Sequence, residues 1–307
     1  DVFLSMTPIY HAATGTRVSS MLVDGQTHVV LPHFDADEAL DVIEKYGVTM
    51  TVAVPTQLRR MLDSPRFDPE QLSSLRLVVY GAAPTGLPLI RRAMQVLPCG
   101  LYQGYGLTEA TTNLTGLLPE DHQPDASDAR LSSAGRPVVG VELSIRGEDG
   151  KPAAADEPGE ICVRADKVMA GYWRNPTATA EAIVAGWLHT GDVGRLGADG
   201  YLSIVDRAKD MLISGGVNVY PSEIEAVLRQ WPGLTDVAVI GLPDEEWGEV
   251  PVAFVSVEAG VDLDEAALKA FCRKRLAGLK VPRAVHVIDE FPRTATGKIR
   301  KVELRST

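Results

Sequence analysis

The sequence predicts an α/β fold with a β-rich subdomain, followed by a small α+β domain at the C-terminal end. Between residues 36 and 105, apolar β-branched runs alternate with stretches whose apolar residues repeat at helical spacing. That is the pattern of a largely parallel sheet flanked by helices. From 135 to 205 short strand-like runs follow one another with turn residues between them, which argues a β-rich layer. Beyond about Asp210 two amphipathic helices and three strands make a compact module.

Residues 2–6 read as a strand, and Pro8, Ile9, Tyr10 and His11 as the loop leaving it. Ala36–Tyr46 carries Ala39, Leu40, Ile43 and Tyr46 at helical spacing, and Gly47 closes it. A β-branched strand at 48–54, a short helix at 56–62, a strand at 75–80, a helix at Leu87–Val96 and a strand at 101–105 follow. Residues 121–130 are polar and loop-like. Strands at 141–145 and 160–163 lie between turns at 148–150 and 157–159, and a hairpin turns at Gly197-Ala198-Asp199-Gly200. In the last third, Ile224, Val227, Leu228 and Trp231 mark a helix face, and strands are expected at 236–242, 251–257 and 284–288. A helix at 262–277 turns Leu268, Phe271, Cys272 and Leu276 inward, with Asp262 and Glu265 as a capping-box-like start.

The content of 45% hydrophobic and 23% charged residues is that of an ordinary globular protein. With 30 basic against 41 acidic residues the net charge is -11, and no Lys/Arg-rich run stands out. Nucleic acid and anionic membranes are therefore poor partners. An anionic cofactor would need local dipoles and a few cations against the overall field. Cys99, Cys162 and Cys272 lie far apart among apolar residues, so buried small hydrophobes are expected rather than a metal site or disulfide. That fits a reducing, cytoplasmic setting, and no run of roughly 18 apolar residues exists to span a membrane. The chain opens on Asp1-Val2-Phe3-Leu4, a strand-like run with no Met and no signal peptide.

The stretch 187–225 holds the densest signals. Thr190-Gly191-Asp192 enters the hairpin, a charged knot of Asp206-Arg207-Ala208-Lys209-Asp210 follows, and Gly215-Gly216 leads to a helix beginning near Pro221. Two domains are expected to meet here, 1–208 and 209–307. Two loops leave strand ends upstream: Gly81-Ala82-Ala83-Pro84, and Tyr102-Gln103-Gly104-Tyr105-Gly106-Leu107-Thr108-Glu109. In parallel sheets ligands bind beyond such ends. The tail reads Pro292-Arg293-Thr294-Ala295-Thr296-Gly297-Lys298-Ile299-Arg300-Lys301. It is no P-loop, because Pro292 stands where the first glycine should be and Ile299 where Ser/Thr should be.

Together and in this order the strings resemble those of the adenylate-forming enzymes: acyl- and aryl-CoA synthetases, firefly-type luciferases and peptide-synthetase adenylation domains. The match is to a TGD motif, DRxKD, YGxTE, a GGAP-like adenine loop and PRTxTGKxxR. The segment Gly159 to Arg164 and Met169 to Trp173 resembles GELxxRGxxxxxGYW, departing at Ala165-Asp166 where glycine is usual.

The resemblance implies an ATP-dependent acyl-CoA synthetase that adenylates a carboxylic, by expectation fatty, acid and passes the acyl group to CoA. ATP/AMP, Mg²⁺ and coenzyme A are the implied cofactors. Glu109 would hold the metal and Thr108 the α-phosphate, since two anions meeting need a cation and donors. Gly81, Ala82, Ala83 and Pro84 would bed the adenine, Tyr105 and Gly106 would lie beside it, and Gly104 would leave room for the acyl chain. Asp192 would bind the ribose hydroxyls with help from Arg207. Lys209 would be the hinge and Lys298 the catalytic lysine on a mobile lid. His11 would wall or gate the acyl and thiol tunnel, which Gly215 and Gly216 would line. Trp247 would pack on CoA or anchor the fold. The family's phosphate loop lies upstream of Val2 and is absent from this chain, so the chain is expected to be the later part of a longer enzyme. Two further readings are an adenylation domain that loads a carrier protein, and an inactive nucleotide-binding fragment. Leu279-Lys280-Val281-Pro282 stands where carrier-loading domains have LPxYMxP.

Overall fold

The structure is a computed structural model and describes residues 1–147, 149–258, 260–294 and 299–305. Its first part alternates strand and helix: β1 (Val2–Ser5), α1 (Ala12–Asp24), β2 (Thr27–Val30), α2 (Ala36–Tyr46), β3 (Met50–Ala53), α3 (Pro55–Asp63), β4 (Leu77–Gly81), α4 (Leu87–Val96) and β5 (Gly100–Leu107). Next come β6 (Thr112–Leu117), α5 (Asp128–Leu131) and β7 (Arg136–Pro137). These strands form one sheet in the order β2-β1-β3-β4-β5-β6-β7. It is parallel from β2 through β5 and antiparallel from β5 to β7. Helix α2 starts because the Asp35 carboxylate accepts from the Asp37 and Glu38 amides, and Gly47 ends it at a left-handed φ of 61°. Its buried Ala39, Leu40 and Ile43 pack with Leu4, Val78 and Leu101 in the core of this layer.

The β-rich part holds β8 (Glu142–Arg146), β9 (Gly159–Arg164), α6 (Pro176–Ala182), β10 (Ile183–Val184), β11 (Trp187–Leu196) and β12 (Leu202–Arg207). Here the order is β10-β11-β9-β8, with β12 on the other side of β11. Ile161, Val163, Leu188 and Leu202 fill its core with Tyr105 and Leu114. The small module contains β13 (Leu212–Ser214), β14 (Val217–Val219), α7 (Pro221–Leu228), β15 (Leu234–Asp244), β16 (Gly248–Val257), α8 (Glu265–Arg273), β17 (Ala284–Val287) and α9 (Lys301–Leu304). Its sheet runs β14-β13-β16-β15, with β17 parallel to β16. Two compact units result, Asp1–Thr190 with Gly194–Ile204, and Gly191–Val193 with Val205–Thr307. Among the described residues, no helix is long and apolar enough to cross a membrane.

The structure adds elements that the sequence pattern hides. Helix α1 and strand β2 occupy a stretch with no strong periodicity, because Thr14, Gly15, Thr16, Ser19 and Ser20 interrupt the apolar spacing. The strand expected at 101–105 continues through Leu107 as β5, so most of the Tyr102–Glu109 string is extended and only Thr108–Ala110 turns away as a 3₁₀ helix. Glycines explain this. A Cβ on Gly106 would stand 1.7 Å from the Thr112 carbonyl oxygen, so only glycine lets β6 close against β5 there. The polar stretch at 121–130 contains the start of α5, capped by the Ser127 hydroxyl. Helix α8 is shorter than expected, and its cap is Asp264, which accepts from the Ala267 amide, rather than Asp262.

Buried Tyr80 donates its phenol proton to His122 Nε2 at 2.8 Å, while Nδ1 lies 2.8 Å from the Leu118 carbonyl. Both nitrogens are thereby satisfied in the neutral ring. Burial pushes the His122 pKa down, against the opposing pull of the Leu118 carbonyl and Asp121. The unfolded chain therefore takes up more protons than the folded one as pH falls through the ordinary histidine value. This stability contribution is present above about pH 6.5 and is lost below it. We expect His122→Gln to flatten the pH dependence of the denaturant midpoint between about pH 7 and 5. An unchanged slope would assign the acid sensitivity to other groups.

Candidate functional site

The ends of β4 and β5 build one candidate site in the large unit. Gly81 pairs with Gly104 in register, and a Cβ on Gly81 would lie 2.4 Å from the Gly104 oxygen. The loop after β4 can therefore run close beside β5 only with glycine at 81. Ala82 then adopts a left-handed φ of 64°, and Thr111 and Thr112 take φ of 49° and 77°. Non-glycine residues held in this region cost about 1–3 kcal/mol each and cluster at ligand sites. The Ala82–Ala83–Pro84 loop and the Thr108–Ala110 turn thus carry the backbone strain on both sides of the β4–β5 end.

Thr108 is exposed and Glu109 half-buried. The Glu109 carboxylate accepts from the Tyr172 hydroxyl at 2.9 Å, and its backbone oxygen accepts from the Met169 amide at 2.7 Å. Burial and the Glu109 carboxylate together push the Tyr172 phenol up, so it stays a donor. Tyr172 is a site residue that sequence reasoning passed over as architecture. Its signal was present in the Gly171-Tyr172-Trp173 string, but the contact spans 63 positions. Glu109 keeps carboxylate lone pairs available, and that donor set suits a hard divalent cation. Tyr105 is only 8% exposed and belongs to the core of the β-rich layer. Any stacking on a flat ligand would rest on that small remainder.

His11 occupies the cap position before α1, where its carbonyl accepts from the Thr14 and Gly15 amides and its ring lies 4.8 Å from that of Tyr10. Just beyond, a cavity of about 250 Å³ is lined by Ala13, Thr16, Arg17 and Ser20 of α1, Val52 and Val79 of the sheet, and Thr112 and Asn113 of β6. Gly104 borders it, since a Cβ there would sit 2.7 Å from Asn113 Oδ1. Asn113 in turn donates to the Tyr102 hydroxyl at 3.4 Å.

A separate group of sequence-expected residues lies in the small unit. Arg207 Nε is 3.4 Å from Asp192 Oδ1; the arginine side chain is 52% exposed and the carboxylate 14%. Lys209 is exposed in the turn after β12, where the Asp210 and Met211 amides donate to the Arg207 carbonyl. Before it, Asp206 accepts from the Ser222 amide and the Arg207 amide, both at 2.8 Å, and the Ser222 hydroxyl donates to the Val205 carbonyl. Burial pushes the Asp206 carboxyl up, while these two amides oppose the shift. Gly215 and Gly216 form the tip of the β13–β14 hairpin with φ of 56° and 77°, the two positive values that a type I′ turn needs. Gly215 donates to the Trp247 carbonyl, and a Cβ on it would meet the indole at 2.9 Å. The structure thus uses Trp247 as an anchor on Gly215. Lys298 lies outside the described residues.

Of the cysteines, Cys162 and Cys272 are buried and Cys99 is partly so, all three unbridged. Cys162 shares a 4.8 Å cluster with Glu160 and His189, the group with metal-ligand chemistry among the described residues. His189 Nδ1 is 2.7 Å from the Glu160 carboxylate and 3.5 Å from the thiol, which are hydrogen-bond distances. Burial and the Glu160 charge push the Cys162 thiol up to about 12, which keeps it protonated. The cluster reads as polar packing across β9 and β11.

A family model of the AMP-binding enzymes matches residues 1–173, and one of the AMP-binding enzyme C-terminal domain matches residues 223–298. The 2-succinylbenzoate–CoA ligase of Geobacillus kaustophilus (strain HTA426) is 40% identical over 308 residues, covering 99% of this chain and 61% of the ligase. The feruloyl-CoA synthase of an Amycolatopsis species is 42% identical over 301 residues, 97% of this chain and 60% of the synthase. The solved o-succinylbenzoate CoA synthetase of Bacillus subtilis, bound to ATP and magnesium, superposes with a TM-score of 0.87 at 33% identity, covering 100% of this chain and 61% of that one. The chain therefore spans about three fifths of the length of these relatives. The order of the site strings, the two-unit architecture and these matches lead to one conclusion: the chain belongs to the adenylate-forming, AMP-binding enzymes.

Proposed function

We propose that this chain is the later part of a cytoplasmic, ATP-dependent acid–thiol ligase, with a boundary near 208/209 between its large AMP-binding domain and a mobile C-terminal domain. A carboxylate oxygen attacks the α-phosphorus of ATP, the bond to pyrophosphate breaks, and an acyl-adenylate forms. The sulfur of CoA then attacks the acyl carbon and AMP leaves. The observation that carries this reading is the Glu109 carboxylate, fixed by Tyr172 beside exposed Thr108 at the end of β5. Magnesium bound there would neutralise the phosphate charge as the two anions approach. Thr108 would donate to the α-phosphate, the Gly81–Pro84 loop would bed the adenine, and Asp192 with Arg207 would hold the ribose hydroxyls. His11, Gly104 and Gly106 would border the acid and nucleotide, and Gly215 and Gly216 the thiol. Lys209 would be the pivot, and Lys298 would bridge the acid and the α-phosphate.

Acid-dependent ATP–pyrophosphate exchange by the full-length protein tests this reading, followed by acyl transfer to free CoA. No exchange across fatty and aromatic acids would overturn it. Glu109→Gln keeps an oxygen acceptor for Tyr172 but removes the negative charge that would bind the metal. We expect it to cut exchange by about 100-fold or more, as losing about 3 kcal/mol of transition-state charge stabilisation would. The loss should shrink as magnesium is raised, and an equal loss at every magnesium concentration would remove the metal from this role.

A further inference from the structure

The cavity beneath α1 is small and polar. At about 250 Å³ it lies just below the roughly 300 Å³ from which ligand pockets run upward. Thr16, Ser20, Thr112 and Asn113 supply hydroxyl and amide groups, and Val52 and Val79 supply an apolar wall. Arg17 is its one charged lining residue; it is half-buried, its carbonyl accepts from the Ser20 hydroxyl, and its guanidinium makes no hydrogen bond or ion pair among the described residues. Its charge is felt at Tyr102, where it opposes the rise that burial imposes on the phenol. A partly desolvated guanidinium with no acidic partner is costly unless an anion completes it, and its planar fork matches a carboxylate.

We propose that this cavity takes the tail of the acid substrate, and that Arg17 selects acids bearing a second acceptor group, above all a carboxylate, at the end away from the reacting one. This rests on the ligase reading. Asn113 in the cavity wall belongs to β6, the strand that follows the Thr108–Ala110 turn, and it packs against Gly104 of β5. The reacting carboxylate would then lie toward β5, with Arg17 on the α1 wall meeting the other end. Val52 and Val79 would flank a short apolar spacer or a ring between the two ends.

Matched acids test this: 3-(4-carboxyphenyl)propanoate, its 4-hydroxyphenyl analogue and its 4-methylphenyl analogue, in pyrophosphate exchange by the full-length protein. We expect the diacid to lead the methyl acid by at least about tenfold in kcat/KM, the difference arising in KM, as for one buried charge-paired hydrogen bond. Preference for the hydroxy acid over the diacid would mean a neutral acceptor is the group selected, overturning the anionic preference. Arg17→Leu should invert the order of diacid and methyl acid, and Arg17→Lys should keep part of the preference. An equal loss for all three acids, or an unchanged order, would overturn the proposal. Diacid binding to the 307-residue chain without ATP, followed by saturation-transfer NMR, separates the two readings. Binding that Arg17→Leu abolishes, in a protein without exchange, would keep the pocket and sink the ligase. Exchange without diacid preference would do the reverse.

Discussion

Asp192→Ala should weaken AMP binding by about a hundredfold or more, measured by calorimetry on the folded protein. The side chain is 14% exposed, so an alcohol pair bound to it would exchange water for a carboxylate in a largely desolvated place. Truncating one partner of such a buried charged contact typically costs about 2–5 kcal/mol, and every 1.4 kcal/mol is about tenfold. Arg207→Ala should cost much less. Its guanidinium is 52% exposed and approaches Asp192 at 3.4 Å, the geometry of a screened surface pair. The contrast between the two variants is the informative result. Equal affinity in wild type and Asp192→Ala would reduce the pair to an ordinary ion pair and remove the ribose role from both residues.

Gly106→Ala should be among the most damaging small substitutions in the large unit. The added carbon would fall 1.7 Å from a backbone oxygen of β6, which no rotamer change can relieve. Either β5 and β6 part at the register shift between Tyr105 and Gly106, or the strained Thr111–Thr112 turn moves. We expect a loss of about 3 kcal/mol, at the upper end for overpacking, and a fall of roughly 6–12 °C in the unfolding temperature of that unit. Gly86→Ala is the control. Its nearest neighbour would be the Pro88 side chain at 3.8 Å, an ordinary contact. If both variants melt alike, the close approach of β5 and β6 does not govern this layer.

Legibility in the sequence followed the range of the interactions. The helix at Ala36–Tyr46 was readable because its apolar residues and its Gly47 stop lie within one dozen positions. Asp192 and Arg207 were readable as members of two neighbouring motifs, TGD and DRxKD, and the structure pairs them at 3.4 Å. Helix α1 was hidden by its own threonines and serines, which leave Thr14 and Met21 as its buried residues. The continuation of β5 past Tyr105 was hidden by Gly106, which reads as a loop residue in isolation and acts as clearance for β6 in the fold. Tyr172, Asn113 and the Arg17 cavity were out of reach for the same reason. Each depends on partners brought together from far along the chain, which no local pattern encodes.

The clasp around Asp206 bears on how such a protein would change state. The Ser222 amide and hydroxyl, downstream of Lys209, grip Asp206 and Val205, upstream of it. A swivel confined to the Lys209 backbone would have to open this ring of bonds first. If Lys209 is the pivot, the segment would act as a detent, holding one setting until both bonds release together. A catalyst with that feature would switch in discrete steps, and its dwell time in each would be set by a serine and an aspartate that never touch the reacting molecules.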